Sequence, residues 1–300
     1  MRNVHKQIRD ILYNNYQDIA FIIGNGINLH FFNGEIPSWN SLVCNMWRSH
    51  LDNNVGNING VTLTELYDLL ELKYCQEKDT IQKKRNELKK EVVSQFNKQL
   101  SNTDLSTLAK RIHDWEAPIL TTNFDTIIAS SLNLNMKRMG KGFTDFYPWN
   151  IFYSDNELDS SLSGFGIWHI NGLVNYHRSI KLSLSDYMGC VERVRKWLHK
   201  DNLEEYFYGK RQNYWIGYNT WLHILFNKQL FIFGLSLEEN EVFLRWLLIQ
   251  RAKYAKMYNL NLKGWFVDKD IKDGKKFFLQ TLGFEVININ DHDELYSSFL

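Results

Sequence analysis

The 300-residue sequence predicts an α/β fold, in which a parallel sheet is flanked by helices and a smaller helical module is inserted. Two observations support this prediction. Short, continuously apolar runs recur along the chain, and parallel strands that are buried on both faces have this pattern. Amphipathic helical patterns separate most of these runs, as expected where crossover helices join neighbouring parallel strands. We therefore expect a single domain that covers residues 1–300.

The predicted elements begin with an amphipathic helix over about 4–16, followed by a buried strand in DIAFIIGNG, residues 18–26. Helical patterns then continue, and we interpret residues 30–115 as a helical insertion packed on the sheet. Later apolar runs predict strands at 117–125, 166–172, 229–236, 263–268 and 284–290, with helices over 239–257 and 273–282 between the last three.

The charge, apolar runs and cysteine spacing of the sequence argue against several classes of function. The formal net charge is +1, from 35 basic and 34 acidic side chains, which argues against a broadly basic nucleic-acid-binding surface. No apolar run approaches the ~18 residues that a membrane helix requires, and the polar start lacks a signal-peptide core. Cys44, Cys75 and Cys190 form no CxxC pair, so neither a disulfide framework nor a cysteine zinc site is expected. We expect a cytoplasmic protein with no membrane or nucleic-acid partner.

The first predicted strand ends in GNGIN, residues 24–28. Gly24 and Gly26 allow a tight turn and let the backbone approach a pyrophosphate without a Cβ clash. An ordinary strand-to-helix turn is the alternative interpretation. The run lacks the GxGxxG spacing, so a hydride-transferring dinucleotide enzyme is poorly supported.

The next two predicted strands end in TTNFD (121–125) and HING (169–172). The amide of Asn123 offers a donor and an acceptor, which suits a ribose hydroxyl or a water molecule. Asp125 has the alternative role of capping the following helix. His169 suits general-base work if it reaches the cleft, since the reference pKa of histidine is ~6.5. The alternative for His169 is a core histidine whose hydrogen bonds are satisfied.

GLSLEEN, residues 234–240, joins another predicted strand to a helix. Ser236 followed by Glu239 has the spacing of a capping box, in which the two side chains satisfy the first N–H groups of a helix. Backbone N–H groups at the same position could also face a phosphate. The two interpretations are compatible.

Taken in order, these four motifs resemble those of the sirtuin-like superfamily, and in particular those of the bacterial sirtuin-like proteins of anti-phage defence. That pattern comprises a Gly-rich first turn, an Asn-containing strand end, a catalytic His followed closely by Gly, and a late G-x-S-L turn. LSDY (184–187) and FEVININDHDEL (284–295) also fit the defence branch. The resemblance covers about 20–300 and implies a Rossmann-like NAD-binding domain with a smaller helical module.

The resemblance also implies an activity, namely hydrolysis of the nicotinamide–ribose bond of NAD+ to give ADP-ribose and nicotinamide. NAD would be the substrate, and no metal would be needed. By this resemblance Asn123 and His169 form the catalytic pair, with Asp125 orienting the loop that carries Asn123. The residues that would bind NAD come from four strand ends: Gly24, Asn25, Gly26, Asn28, Gly234, Ser236 and Asp268.

Two departures from the deacylating sirtuins favour hydrolysis over deacylation. The chain lacks their four-cysteine zinc ribbon, and its first turn reads GNGIN rather than GAGxS. The alternatives that stay open are an NAD-dependent protein deacylase, an ADP-ribosyltransferase, a non-catalytic module that binds NAD or ADP-ribose, and a nuclease or nucleic-acid-binding protein.

Control of such an activity is also implied by the resemblance. Because NAD depletion is toxic, relatives in antiviral (abortive infection) defence must stay silent until infection, and we expect no separate sensor domain within these 300 residues. We therefore expect control in trans, by a partner protein such as a ring ATPase or a nucleotide-processing enzyme, or by formation of a homo-oligomer.

Two features lie outside this interpretation. KKRNELKK, residues 83–90, is either the solvated face of a helix or a contact for nucleic acid or a partner. Aromatic residues are dense at 143–168 and 206–221. They either pack an irregular insertion, or form the wall of a nicotinamide pocket or a protein interface, where Tyr and Trp are enriched.

Overall fold

The computed structural model describes residues 4–51, 58–75, 81–96, 100–198 and 212–299. Eight strands in these residues form one sheet: β1 (Ile19–Ile23), β2 (Ile119–Thr121), β3 (Asn135–Arg138), β4 (Ile151–Ser154), β5 (Ile167–His169), β6 (Gln229–Phe233), β7 (Gly264–Lys269) and β8 (Phe284–Ile289). The same residues form twelve helices: α1 (Val4–Asn15), α2 (Gly26–Phe32), α3 (Trp39–Leu51), α4 (Leu63–Tyr74), α5 (Ile81–Phe96), α6 (Thr103–Asp114), α7 (Ile127–Ser131), α8 (Leu184–Leu198), α9 (Trp221–Asn227), α10 (Val242–Met257), α11 (Asp273–Thr281) and α12 (His292–Tyr296). None of the helices in the described part of the chain has both the length and the apolar character that a membrane crossing needs.

The spatial order of the strands is β3-β4-β5-β2-β1-β6-β7-β8. The strands from β5 to β8 in this order run parallel, whereas β4 is antiparallel to β5 and β3 is antiparallel to β4. The α/β prediction is therefore confirmed, with a mostly parallel sheet. The antiparallel pair at one edge was not predicted, because β3 reads NMKR and is largely exposed, and β4 lies inside the aromatic-rich stretch.

Alternation along the strands divides the apolar side chains between two cores. All five residues of β1 are buried. Phe21 and Ile23 belong to the core covered by α1 to α7, and Ala20 and Ile22 belong to the core covered by α8 to α11. This double burial explains why the parallel strands read as continuous apolar runs.

Between β1 and β2 the described residues form helices α2 to α6, whose apolar sides join the first core. Local caps define where two of these helices begin. At α4 the Glu65 N–H donates to Thr62 Oγ1 (3.3 Å) and the Thr62 N–H donates to the Glu65 carboxylate (2.7 Å), which makes a capping box. At α6 the side chain of Asn102 accepts from two backbone N–H groups.

Buried ion pairs tie α5 to its neighbours. The ammonium of Lys89, which is 2% exposed, donates to Asp186 Oδ1 in α8 (2.8 Å) and to the carbonyl of Ile180 (2.8 Å). Arg85 pairs with Glu71 of α4, with 2.8 Å between Nη2 and Oε2. Two of the five basic side chains in KKRNELKK, those of Arg85 and Lys89, therefore pair with carboxylates of neighbouring helices. The interpretation of this run as a solvated helix face holds for only part of it.

The aromatic-rich stretches contribute mainly to the second core, where Trp149, Phe152, Trp168 and Trp221 are buried. This agrees with the interpretation that their aromatic residues pack an irregular part of the fold. Three of the aromatic residues singled out from the sequence lie outside the described residues: Tyr206, Phe207 and Tyr208.

Candidate functional site

A cavity of about 320 Å³ lies at the carboxyl edge of the sheet, where β1, β2, β5, β6 and β7 end. The polar part of its lining comes from Asn25, Ser38, Thr122, Asn123, Asn171, Ser236, Glu241, Asp268 and His292. The apolar part comes from Leu29, Pro37, Trp39, Leu42, Phe96, Phe124 and Leu235. An apolar wall with a few convergent polar groups is typical of small-molecule sites.

Strand register explains why residues far apart in sequence meet here. Ile23 is in register with Thr121 on one side and with Phe233 on the other, and Thr121 is in register with His169. Because these parallel strands end level with one another, the loops that follow them converge at one edge of the sheet.

Gly24 and Gly26 allow the loops after β1 and β6 to touch. A Cβ on Gly24 would lie 2.5 Å from the carbonyl oxygen of Gly234, and a Cβ on Gly26 would lie 2.8 Å from Gly234 Cα. The Gly24 N–H donates to the carbonyl of Phe233 (3.2 Å), and the Gly26 N–H donates to the carbonyl of Gly234 (2.7 Å). The prediction that Gly24 and Gly26 bring the backbone to a pyrophosphate is therefore corrected in one respect: their own N–H groups cannot hold it, because both already donate to carbonyls at the end of β6.

Three other backbone N–H groups border the cavity. Asn25, Leu235 and Ser236 line it, and their N–H groups make no hydrogen bond to any described residue. Ser236 is exposed and does not start a helix, since α10 begins only at Val242. The predicted capping box of Ser236 with Glu239 is therefore wrong, and an irregular loop follows β6 along the cavity instead.

Two amides and a carboxylate connect the loops after β1 and β2. The Asn28 Nδ2 group donates to Asp125 Oδ2 (2.8 Å) and to Asn25 Oδ1 (3.0 Å). The Ile127 N–H donates to Asp125 Oδ1 (3.0 Å), and burial raises the pKa of Asp125. Asp125 thus stabilises the loop that carries Asn123.

The amide of Asn123 faces the cavity with one acceptor left over. Its Nδ2 group donates to the carbonyl of Gly24 (3.4 Å), and its backbone N–H donates to Thr121 Oγ1 (3.1 Å). Its Oδ1 atom is buried and has no hydrogen-bond partner among the described residues. Asn123 is therefore held by its nitrogen atoms, while its oxygen stays available to a ligand.

His169 lies behind this cavity and is not part of its lining. Alternation along β5 turns its side chain to the same face as Ile167, toward the first core. Its Nε2–H donates to the backbone carbonyl of Asp125 (2.9 Å), and burial lowers the pKa of His169 to about 4. The imidazole is therefore neutral near pH 7. Of the predicted catalytic pair, Asn123 lines the cavity and His169 does not.

Two buried polar residues of the lining, Asn171 and Glu241, were not among the predicted site residues. Asn171 comes two residues after His169, and Glu241 comes one residue after the GLSLEEN motif. Asn171 Nδ2 donates to Glu241 Oε2 (3.4 Å), and the two side chains are only 2% and 7% exposed. Burial raises the pKa of Glu241 to about 7. The signals in the sequence were that HING itself contains Asn171 and that GLSLEEN is followed directly by another acidic residue, Glu241.

Some of the buried polar atoms without a partner among the described residues lie at this cavity. Three lining side chains carry a buried atom with no hydrogen-bond partner among the described residues, namely Trp39 Nε1, Asn123 Oδ1 and Asn171 Oδ1. Buried polar atoms are usually satisfied, and an unsatisfied group costs about 1–3 kcal/mol. Such groups around one cavity indicate a site for a polar ligand.

Asp268 contributes a carboxylate to the cavity lining from the end of β7. It lies near the end of β7, half-buried, and its Oδ1 accepts from the Lys269 N–H (2.8 Å). Burial raises the pKa of Asp268. Carboxylates at strand ends are suited to accept hydrogen bonds from a ribose diol.

The structure thus separates the predicted site residues into two sets. Those that line the cavity are Asn25, Gly26, Asn123, Gly234, Ser236 and Asp268. Those that lie outside its lining are Gly24, Asn28, Asp125 and His169.

The charge of the lining restricts how an anionic ligand could bind. The described lining residues include Glu241, Asp268 and His292 but no Lys or Arg. A phosphate bound here would therefore be held by amide and backbone N–H groups, and a cationic group would be favoured near the carboxylates. Among the described residues no three His, Cys, Asp or Glu side chains are grouped as metal ligands, and the metal-free site stays a prediction.

The aromatic wall of the cavity comes from Trp39, Phe96 and Phe124. No described residue of the stretches 143–168 and 212–221 lines the cavity, so those residues do not form the pocket wall that was one of their predicted roles.

A larger open depression, of about 560 Å³, lies beside α1 and is lined by residues that include Asp10, Trp265 and Glu285. Trp265 and Glu285 lie where β7 and β8 begin. This depression is therefore at the amino end of the strands, opposite the edge where ligands bind in parallel sheets.

No protein-family model matches the chain, and no curated protein sequence matches it. The resemblance to sirtuin-like proteins therefore depends on the four motifs at the strand ends.

Proposed function

We propose that this chain is an NAD+ glycohydrolase, which cleaves the nicotinamide–ribose bond to give ADP-ribose and nicotinamide. The observation that supports the proposal most directly is the buried, unpartnered Oδ1 atom of Asn123 at the cavity. This acceptor would receive a hydrogen bond from a ribose hydroxyl or from the attacking water.

The residues around the cavity fit the parts of a dinucleotide. The Asp268 carboxylate would accept from a ribose diol, beside Gly234 and Ser236. The N–H groups of Asn25 and Ser236 would donate to the pyrophosphate. The aromatic wall formed by Trp39, Phe96 and Phe124 would pack against the flat nicotinamide ring.

Cleavage of the nicotinamide–ribose bond does not need a general acid to protonate the leaving group. Nicotinamide leaves as a neutral molecule, because the electrons of the breaking bond neutralise its ring nitrogen. Positive charge develops on the ribose, as in other glycoside hydrolyses, and water then attacks the sugar. Asn123 would hold the sugar or the water, and the apolar wall would exclude other water from the site.

We assign His169 to positioning. Its Nε2–H fixes the carbonyl of Asp125, two residues after Asn123 in the same loop. Its pKa of about 4 leaves the imidazole neutral, so it holds the loop without changing charge near pH 7. The role of general base, which was expected of His169 only if it reached the cleft, does not fit a group outside the cavity lining.

The test uses the purified full chain incubated with NAD+, with nicotinamide and ADP-ribose quantified by chromatography. We expect the two products in equal amounts without any acylated peptide. Asn123→Ala should lower product formation by at least 100-fold. The matched control is Asn135→Ala, because Asn135 is an exposed amide on the edge strand β3 and should leave turnover unchanged.

Each alternative predicts a different result. Product formation that needs an acylated peptide would indicate a deacylase. Binding of ADP-ribose without NAD+ cleavage would indicate a non-catalytic module. Equal turnover in Asn123→Ala and Asn135→Ala would contradict the assignment of Asn123.

The resemblance extends the proposal to a biological role, namely NAD depletion in antiviral defence under the control of a partner protein or of self-assembly. Phage challenge of cells that express the chain, with NAD measured after infection, tests this role. We expect NAD to fall only after infection and only with the intact Asn123. Constant NAD in infected cells that survive no better than controls would contradict it.

A further inference from the structure

Glu241 is a buried carboxyl group at the cavity that neither the motifs nor the proposed reaction has used so far. It precedes α10, is 7% exposed and belongs to the cavity lining. Within the described residues its side chain receives one hydrogen bond, a long one from Asn171 Nδ2 (3.4 Å). A carboxyl group so buried would normally be paired with a cation or held by several donors.

The groups that face Glu241 do not neutralise it. Burial, and after it the nearby charge of Glu241, raises the pKa of the Tyr187 phenol in α8, and the Tyr187 hydroxyl has no partner among the described residues. Asp268 and His292 line the same cavity. Arg245, one turn along α10, directs its guanidinium to the carbonyl of Leu237 (2.9 Å).

Burial therefore dominates the ionisation of Glu241, and its pKa rises to about 7. At this pKa the group is partly ionised near neutral pH and can take up and release a proton. His169 has the opposite properties, since its pKa is lowered to about 4 and it lies outside the lining. Of these two titratable side chains, Glu241 alone can touch a ligand in the cavity.

We propose that Glu241 is the catalytic proton acceptor at this cavity, and that Asn171 positions its carboxylate. This inference rests on the proposed NAD+ glycohydrolase function and deepens it. In the step, the C1′–N bond breaks and its electron pair passes to the nicotinamide nitrogen. The water oxygen forms a bond to C1′ while one water proton passes to the Glu241 carboxylate, which later releases that proton to solvent. One NAD+ and one water thus give ADP-ribose, nicotinamide and one proton.

The carboxylate has a second consequence for the same substrate. The nicotinamide ring of NAD+ is cationic before cleavage and neutral afterwards. An ionised Glu241 would attract the ring in the substrate and lose that attraction in the product. The same side chain therefore favours binding of NAD+ over binding of nicotinamide.

The experiment compares the full-length wild type with Glu241→Gln and Glu239→Gln. Glu239 is exposed in the same loop and outside the lining, so its variant is the matched control. The specificity constant kcat/KM for NAD+ is measured from pH 4 to 9. ADP-ribose binding is followed by tryptophan fluorescence, since Trp39 lines the cavity. We expect wild type and Glu239→Gln to gain activity with rising pH, with an apparent pKa near 7.

For Glu241→Gln we expect at least a 100-fold loss of kcat, no rise in activity near pH 7, and ADP-ribose binding within three-fold of wild type. A wild type whose activity rises near pH 4 instead, with an active Glu241→Gln variant, would overturn the role of Glu241 and leave the glycohydrolase standing. A wild type that binds ADP-ribose but never cleaves NAD+ would overturn the glycohydrolase function and this inference with it.

Discussion

Two regions of the molecule bury polar groups: the ionic cluster of Lys89, Asp186, Arg85 and Glu71 beside α5, and the cavity at the carboxyl edge of the sheet. They differ in how many hydrogen-bond or ionic partners these groups have. In the cluster, Lys89 has a carboxylate and a carbonyl as partners, and Glu71 is paired with Arg85. At the cavity, Asn123 keeps an unpartnered oxygen among the described residues, and Glu241 receives one long hydrogen bond. Paired burial is typical of charged groups that hold a fold together, whereas an unpaired buried group that lines a cavity has a ligand as its candidate partner.

This difference predicts that the two regions respond in opposite ways to substitution. Removing one member of a buried pair leaves an uncompensated charge, so the fold loses stability. Removing an unpartnered group at the cavity leaves the fold intact or improves it, while function is lost. Each of the following substitutions tests one side of this contrast.

The largest effect on stability is expected in the cluster. Lys89→Ala leaves the Asp186 carboxylate without its ammonium partner, which should lower the free energy of unfolding by about 3–5 kcal/mol. Denaturant unfolding followed by circular dichroism measures the change. The control is Lys90→Ala, an exposed neighbour on the same helix, for which the change should stay within about 0.5 kcal/mol. A Lys89→Ala protein as stable as this control would contradict the view that the paired charges of the ionic cluster stabilise the fold.

A smaller effect of opposite sign is expected at Glu241. Its pKa is raised from 4.5 to about 7 on folding, so the wild type loses stability as pH rises between these values. Glu241→Gln has no charge to bury and should be more stable than wild type above pH 7, by up to about 3 kcal/mol. The difference should vanish near pH 4, where the carboxyl group is protonated in both states.

Thermal or denaturant unfolding at pH 4, 6 and 8 measures this effect, with Glu239→Gln as the control. A Glu241→Gln variant that is less stable than wild type at pH 8 would indicate that the carboxylate is a structural partner rather than a group reserved for a ligand.

The smallest effect is expected at His169, which is satisfied and sits behind the cavity. His169→Ala removes the donor to the Asp125 carbonyl, a loss of about 1 kcal/mol, and should lower NAD+ turnover roughly five-fold. His169→Gln keeps an N–H donor and should restore most of the rate. Turnover is measured at a temperature where both variants are folded by circular dichroism. An inactive Gln variant with normal ADP-ribose binding would return the proton-transfer role to His169.

Most of the sheet could be predicted from the sequence because its central strands are buried on both faces and read as apolar runs. The edge strand β3 could not, since only one side of it is paired and its residues are polar. The rule that ligands bind where parallel strands end located Asn123, Gly234 and Asp268 correctly at the cavity.

The rest of the site depends on details that a linear pattern does not contain. His169 and Asn171 are two residues apart, and only the backbone path after β5 decides which one reaches the cavity. Glu241 was missed because the helix was expected to run from residue 239 with Ser236 as its cap, which placed Glu241 in the first helical turn. The helix begins instead at Val242, and the intervening loop carries Glu241 into the lining.

The measurement that tests the contrast most directly determines NAD+ turnover and unfolding free energy on the same preparation of Asn123→Ala. We expect at least a 100-fold loss of nicotinamide release with a change of no more than about 1 kcal/mol in unfolding free energy, because the side chain makes one long hydrogen bond to the protein. Full turnover, or a loss of stability as large as that of Lys89→Ala, would contradict the view that the cavity's unpartnered groups serve a ligand.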